Sequence, residues 1–269
     1  MRPTLQATRV PPAGDSVVGS PILCLRMPKA LREQAAGVTA DLVSEFPQIR
    51  GVCLFGSVAR GDSGPDSDLD LLVLGDDPKL TPSVIRRRLH LEEASPRVSI
   101  VYHTAETLDR YVKTGSRFLL HLQLEGDVLY DSSGFLNNLQ HRPLLKAPVR
   151  AEVDGQLERL SLYDNTDRYN GNFLFPLSHI YAIGKAIVMA ILTENEIYEF
   201  NRDRAFDAFA ARFPNSREEI ETLRELSTFY TLVSKGIEQS LPFAYHHCEI
   251  KVGEAVAAVR HIAHYAGSA

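Results

Sequence analysis

Two short apolar runs stand out along the chain, Val52-Cys53-Leu54-Phe55 and Leu71-Leu72-Val73-Leu74. Runs of this length without alternation read as strands buried on both faces, spanning Ile49 to Phe55 and Leu69 to Leu74. Arg97 to His103 alternates and predicts a third strand, and Val128 to Tyr130 a short fourth. Helical signals lie between them. Lys29 to Phe46 reads as a helix ending before Pro47. Val58 to Arg60 reads as a short helical turn. Thr81 before Pro82 is an N-cap with proline at the first helical position, so a helix is expected to about Glu93. Thr104 and Ser116 each cap a further helix, ending at Gly115 and Gly126.

After Tyr130 the strand signals stop, and a segment carrying Pro143 and Pro148 reads as a linker. Beyond it, Ile180, Ile183, Gly184, Ile187, Val188 and Ile191 share one helical face. The stretch Ile180 to Leu192 reads as too short to cross a bilayer. Asn201 caps a helix carrying Phe206, Phe209 and Phe213. Ser216-Arg217-Glu218-Glu219 has the form of a capping box opening another helix. Glu254 to Tyr265 predicts the last. The expected fold class is α+β: a small mixed sheet flanked by helices, followed by an α-helical bundle. Residues 1–20 read as a flexible arm, 21–142 as the first domain and 150–269 as the second.

Composition narrows the class of protein. With 44% hydrophobic and 23% charged residues the 269-residue chain reads as soluble and globular. A net charge of −5 provides no global attraction to nucleic acid or to a membrane, so neither is an expected partner. The cysteines (Cys24, Cys53, Cys248) are few and far apart, which suits a reducing cytoplasm and no metal or disulfide framework.

The charges at the mouth of the second strand carry the chemistry. Asp68 and Asp70 are two apart, so on a strand they point to the same side and repel unless a cation joins them. A hard carboxylate pair suits Mg²⁺, which completes its shell with water and phosphate oxygens. Taken alone, the aspartates also fit an inert turn. Gly56-Ser57 follows the first strand and opens a short helix, and such a junction aims backbone N–H groups and a hydroxyl outward as a phosphate cradle. An ordinary turn with a serine cap would look the same. Arg60 stands close enough in sequence to add a cation near the phosphates, or to be a solvated surface arginine.

The stretch Gly56-Ser-Val-Ala-Arg-Gly-Asp-Ser-Gly-Pro-Asp-Ser-Asp-Leu-Asp-Leu-Leu-Val73 resembles the signature of the polymerase-β-like nucleotidyltransferase superfamily, Gly-Ser followed by Asp-x-Asp on the next strand. It is most similar to the minimal nucleotidyltransferases that carry a helical C-terminal domain, and the likeness extends from Lys29 to Asp131. The resemblance implies the nucleotidyltransferase fold and transfer of a nucleoside monophosphate, with ATP as the expected donor. The acceptor hydroxyl would sit on a small molecule or a partner protein. It implies that Gly56, Ser57, Arg60 and Ser67 bind the nucleotide. Asp68 and Asp70 would be catalytic and hold two Mg²⁺ ions.

The pattern departs from the family at one place. The strand that usually supplies a third carboxylate reads Val98-Ser99-Ile100, with Ser99 where an acid is expected. Three readings stay open: two carboxylates suffice, Glu106 or Asp109 substitutes, or the domain binds nucleotide without transferring it, as an antitoxin-like partner protein would. Other signals point nowhere further. The helical half has no arginine and following histidine with four to six residues between them, the mark of a helical RNase class; His261 and His264 stand too close to Arg260. His246-His247-Cys248 is too tight to converge on one ion. The aromatic and Asn-rich stretch from Tyr163 to Phe175 is either a pocket wall or an interhelix loop.

Overall fold

The computed structural model describes residues 29–64, 67–91, 97–235 and 245–267. The expected arm over 1–20 lies outside them, as do Pro65 and Asp66 in the aspartate loop.

Among the described residues four strands form one sheet in the order β3-β2-β1-β4. They are β1 (Ile49–Phe55), β2 (Leu69–Gly75), β3 (Val98–Thr104) and β4 (Asp127–Asp131). β1 runs antiparallel to β2 and β4, while β2 and β3 are parallel, so the sheet is mixed. Both faces are covered, which is why β2 reads as an almost unbroken apolar run. Leu69, Leu71 and Val73 pack with Val52 and Leu54 against α1 (Lys29–Glu45) and α3 (Pro82–Arg88). Leu72, Leu74 and Cys53 face α4 (Ala105–Thr114), α5 (Arg117–Glu125) and α6 (Phe135–Gln140). Asp70 lies between Leu69 and Leu71 and so belongs to this second face. Short α2 (Gly56–Arg60) follows β1 directly.

The predicted caps form: Thr81 accepts from the Val84 N–H, Thr104 from Thr107 and Ser116 from Leu119. α3 stops earlier than expected, because His90 takes a left-handed backbone at φ 51° that no continuing helix allows.

From α7 (Val149–Leu160) onward the described chain is helical: α8 (Leu174–Glu194), α9 (Arg202–Arg212), α10 (Arg217–Lys235) and α11 (Tyr245–Ala263). α6 and α7 were not anticipated from the pattern. Nor was the length of α8, which spans 21 residues and is long and apolar enough to cross a membrane. Its apolar residues instead make the centre of the bundle, touching α7, α10 and α11. A Cβ at Gly184 would lie 2.6 Å from Leu223 and 3.0 Å from Val259, so the glycine lets α10 and α11 close on α8.

One further expectation changes, and one left open resolves to an interhelix connection. Ser216 is buried and donates its hydroxyl to the Phe213 carbonyl, while Glu219 pairs with His261, so the expected capping box does not form. The Tyr163–Phe175 stretch makes two 3₁₀ turns tied to the bundle, with Tyr163 bonded to His179 and Asp164 to Arg260.

Candidate active site

The site is built where β1 turns into α2. Phe55 is extended, and Gly56 then swings to φ 77° to start the helix. A side chain is excluded here twice over. The backbone conformation is left-handed, and a Cβ at position 56 would overlap the Asp70 carboxylate oxygen Oδ2. The glycine of the Gly-Ser pair is therefore the floor against which Asp70 rests. Ser57 sits half-buried on the first turn, and its carbonyl accepts from the Asp62 N–H at 3.1 Å. Ser67 folds the aspartate loop: its hydroxyl accepts from the Gly64 N–H at 2.9 Å, and its own N–H donates to the Gly64 carbonyl at 3.1 Å.

The strand register surrounds Asp70. Phe55 is its partner on β1 and Ser99 its partner on β3. The position where an acid was expected is thus beside Asp70, where the polar Ser99 favours the ionised carboxylate. Burial pushes the Asp70 pKa up to about 6; Ser99 opposes the shift, Asp68 adds to it, and His121 and Arg60 pull against it. Glu106 and Asp109 are exposed on α4, and among the described residues no group of three His, Cys, Asp or Glu is placed to hold a metal. The protein itself offers two carboxylates. That donor set fits a magnesium ion that takes its remaining ligands from triphosphate and water, as Mg²⁺ commonly does.

Arg60 is held in a charged chain that ties the sheet domain to the bundle. Its guanidinium bonds Asp62 at 3.2 Å and Glu125 at 3.0 Å. Burial works against its charge, but Glu125 and Asp62 outweigh that and raise its pKa. Asp62 in turn accepts from Asn201 at 2.8 Å and pairs with Arg204 at 3.1 Å. Arg60, Asn201 and Arg204 together keep its carboxyl below the usual range, although burial opposes them. Glu125 also bonds His121 Nε2 at 2.8 Å, and the imidazole stacks on Phe200, with ring centres 4.3 Å apart.

Between α5 and α8 lies a cleft of about 680 Å³, lined among others by Phe118, His121, Met189, Phe200 and Lys185. Lys185 lies over the Tyr230 ring at 4.9 Å. Burial, then Arg202 and Arg117, lower its pKa, and Asp70 opposes them. The cleft therefore opens within electrostatic reach of Asp70. Its carboxylate, Glu152, is bonded by Arg117 at 2.9 Å. Residues 163–175 do not line it.

His121, Lys185 and Phe200 escaped the sequence reading. The i,i+4 spacing of His121 and Glu125 on a capped helix was the available signal. Lys185 was visible as a charge inside an apolar helix. Phe200 had none, because it stacks across the two domains.

Residues 38–129 match the family model described as the nucleotidyltransferase domain. This part of the chain is a nucleotidyltransferase domain. Its mixed sheet, Gly-Ser turn and aspartate strand all fall within or beside the matched segment, and the family is one of transferase enzymes. Among solved structures, the chain is similar to a spectinomycin adenyltransferase, AAD(9), from Enterococcus faecialis, solved with ATP and spectinomycin. The identity is 15%, over 85% of this chain and 99% of that one, with a TM-score of 0.49. A toxin–antitoxin structure solved with AMP-PNP is similar at 20% identity, over 39% of this chain and 79% of that one, with a TM-score of 0.28. No curated protein matches the chain.

Proposed function

We propose that the nucleotidyltransferase domain transfers a nucleoside monophosphate, with ATP as donor, to a hydroxyl of an acceptor seated in the cleft beside α5 and α8. The observation that carries this reading is the contact between Gly56 and Asp70. It joins the Gly-Ser turn to Asp70, and two residues that act on the Asp70 charge, His121 and Lys185, line a cleft large enough for a small substrate.

Each residue then has a task. The backbone N–H groups at Gly56 and Ser57, with the Ser57 hydroxyl, hold the terminal phosphates. Ser67 keeps the aspartate loop folded beside them. Asp68 and Asp70 would hold magnesium, which neutralises triphosphate charge when bound. Arg60, fixed by Asp62 and Glu125, adds positive potential behind the site. The acceptor oxygen attacks the α-phosphorus in line, and pyrophosphate leaves with the bonding electron pair. Most of the rate then comes from positioning and from charge already in place.

The cleft also favours a type of acceptor. A polycation needs unpaired acids, and the cleft supplies Lys185 and aromatic faces, while Glu152 is already engaged by Arg117. A neutral or anionic hydroxyl compound suits it better.

The test is incubation with α-labelled ATP, GTP, CTP and UTP and Mg²⁺, following pyrophosphate release and transfer of label to added hydroxyl compounds and to proteins. Turnover with ATP, abolished by Asp68→Ala and by Asp70→Ala, is the expected result. Nucleotide binding without pyrophosphate release would refute the transfer reading.

A further inference from the structure

We infer that His121, held by Glu125, is the proton acceptor for the attacking hydroxyl, in place of the acid that position 99 lacks. This inference rests on the transfer reading above.

The argument begins with what the sheet omits. Ser99 neighbours Asp70 and is neutral, so it neither binds a cation firmly nor accepts a proton at neutral pH. Glu106 and Asp109 stand exposed on α4. His121 comes instead from α5, packed over the sheet face that carries Asp70. Its ring is clamped on two sides: it stacks on Phe200 with planes 11° apart, and meets Phe55 edge-on at 5.7 Å. Phe55 is itself the β1 partner of Asp70. The Glu125 carboxylate accepts at 2.8 Å from Nε2, which selects the tautomer protonated there and leaves the Nδ1 lone pair free. Glu125 does not swing, because Arg60 Nη1 donates to the same oxygen at 3.0 Å. A base held by a carboxylate that is itself held by a third group is the arrangement that activates a hydroxyl. His121 lines the cleft where the acceptor sits. The charged groups around it are Asp70 from β2, Arg60 from α2, Glu125 and Arg117 from α5, Glu152 from α7, paired with Arg117, and Lys185 from α8.

The step balances. The acceptor O–H gives its proton to Nδ1 as its oxygen bonds the α-phosphorus. The bond from that phosphorus to the bridging oxygen breaks, and pyrophosphate leaves with the electron pair. The imidazolium, stabilised by Glu125, then returns its proton to water.

The experiment uses the full chain, with ATP and Mg²⁺ and with water or an added alcohol as acceptor. It compares the wild type with His121→Asn and His121→Ala. Thermal melting and equilibrium binding of labelled ATP check fold and nucleotide site. The inference expects ATP binding within about twofold of wild type, and pyrophosphate release slower by roughly 10²- to 10⁴-fold. It also expects loss of the acidic limb of the pH–rate profile, and partial rescue of His121→Ala by free imidazole. A variant that binds ATP and turns over at the wild-type rate would overturn it. So would a slow variant that keeps the wild-type pH profile and is not rescued. Failure of the transfer reading looks different, since the wild type itself then releases no pyrophosphate.

Discussion

Substituting Gly56 by alanine tests the contact on which the site depends. The native backbone there has φ 77°, and the added Cβ overlaps Oδ2 of Asp70. A left-handed backbone costs an ordinary residue about 1–2 kcal/mol. The overlap cannot be relieved within the turn, because Phe55 precedes Gly56 in β1 and Asp70 is held between Phe55 and Ser99 in the register. Either the turn opens or the carboxylate moves. For a chain of this size each kcal/mol lowers the melting temperature by about 2–4 °C, so a fall of a few degrees is expected. A carboxylate displaced by about 1 Å from a reacting centre costs on the order of 10²-fold in rate. Calorimetry and pyrophosphate release on the same preparation measure both. Gly155→Ala is the control: that glycine lies in α7 with nothing within 4 Å of its added Cβ, and alanine there gains about 0.5–1 kcal/mol of helix stability. If Gly56→Ala melts and turns over like the wild type, Gly56 and Asp70 do not form one rigid site, and the reasoning fails.

Two further outcomes follow from the same carboxylate. With the Asp70 pKa near 6, above its unfolded value, the native state binds the extra proton, so in the absence of divalent ions stability falls as pH rises from about 4 to 6. The ionised group then costs on the order of 3 kcal/mol, so Asp70→Asn should melt above the wild type at pH 8 and level with it near pH 4; equal melting at both would refute the shift. Ser99→Asp places a third acid beside Asp70, so it should lower the melting temperature without Mg²⁺, enlarge the rise that Mg²⁺ produces, and raise the transfer rate; an unchanged magnesium response would show that no ion reaches the pair.

Much of the fold was legible because its signals are local. The apolar runs at Val52 and Leu71 need only their own residues to declare buried strands. The caps at Thr81, Thr104, Ser116 and Asn201 act within one helical turn. The Gly-Ser and Asp-x-Asp elements were legible for the same reason, since a turn that excludes side chains and two carboxylates two residues apart at the start of a strand are written in adjacent residues. Where local patterns competed with packing, the reading failed. Ser216 gave up its cap to bond Phe213 from inside the core, and His90 ended α3 by backbone conformation alone.

By itself the sequence determined the order of elements, the amphipathic faces and the residue types at the candidate site. All of these depend on backbone geometry with a period of two or 3.6 residues. Only tertiary structure decided which residues meet across that site. The register put Ser99 beside Asp70, and the packing of the bundle against α5 brought Phe200 onto His121 and Lys185 within electrostatic reach of Asp70. Such contacts join residues far apart in the chain, Arg60 and Glu125 by 65 positions. No local rule encodes them, because what selects them is the burial of two cores and the pairing of the charges left between them.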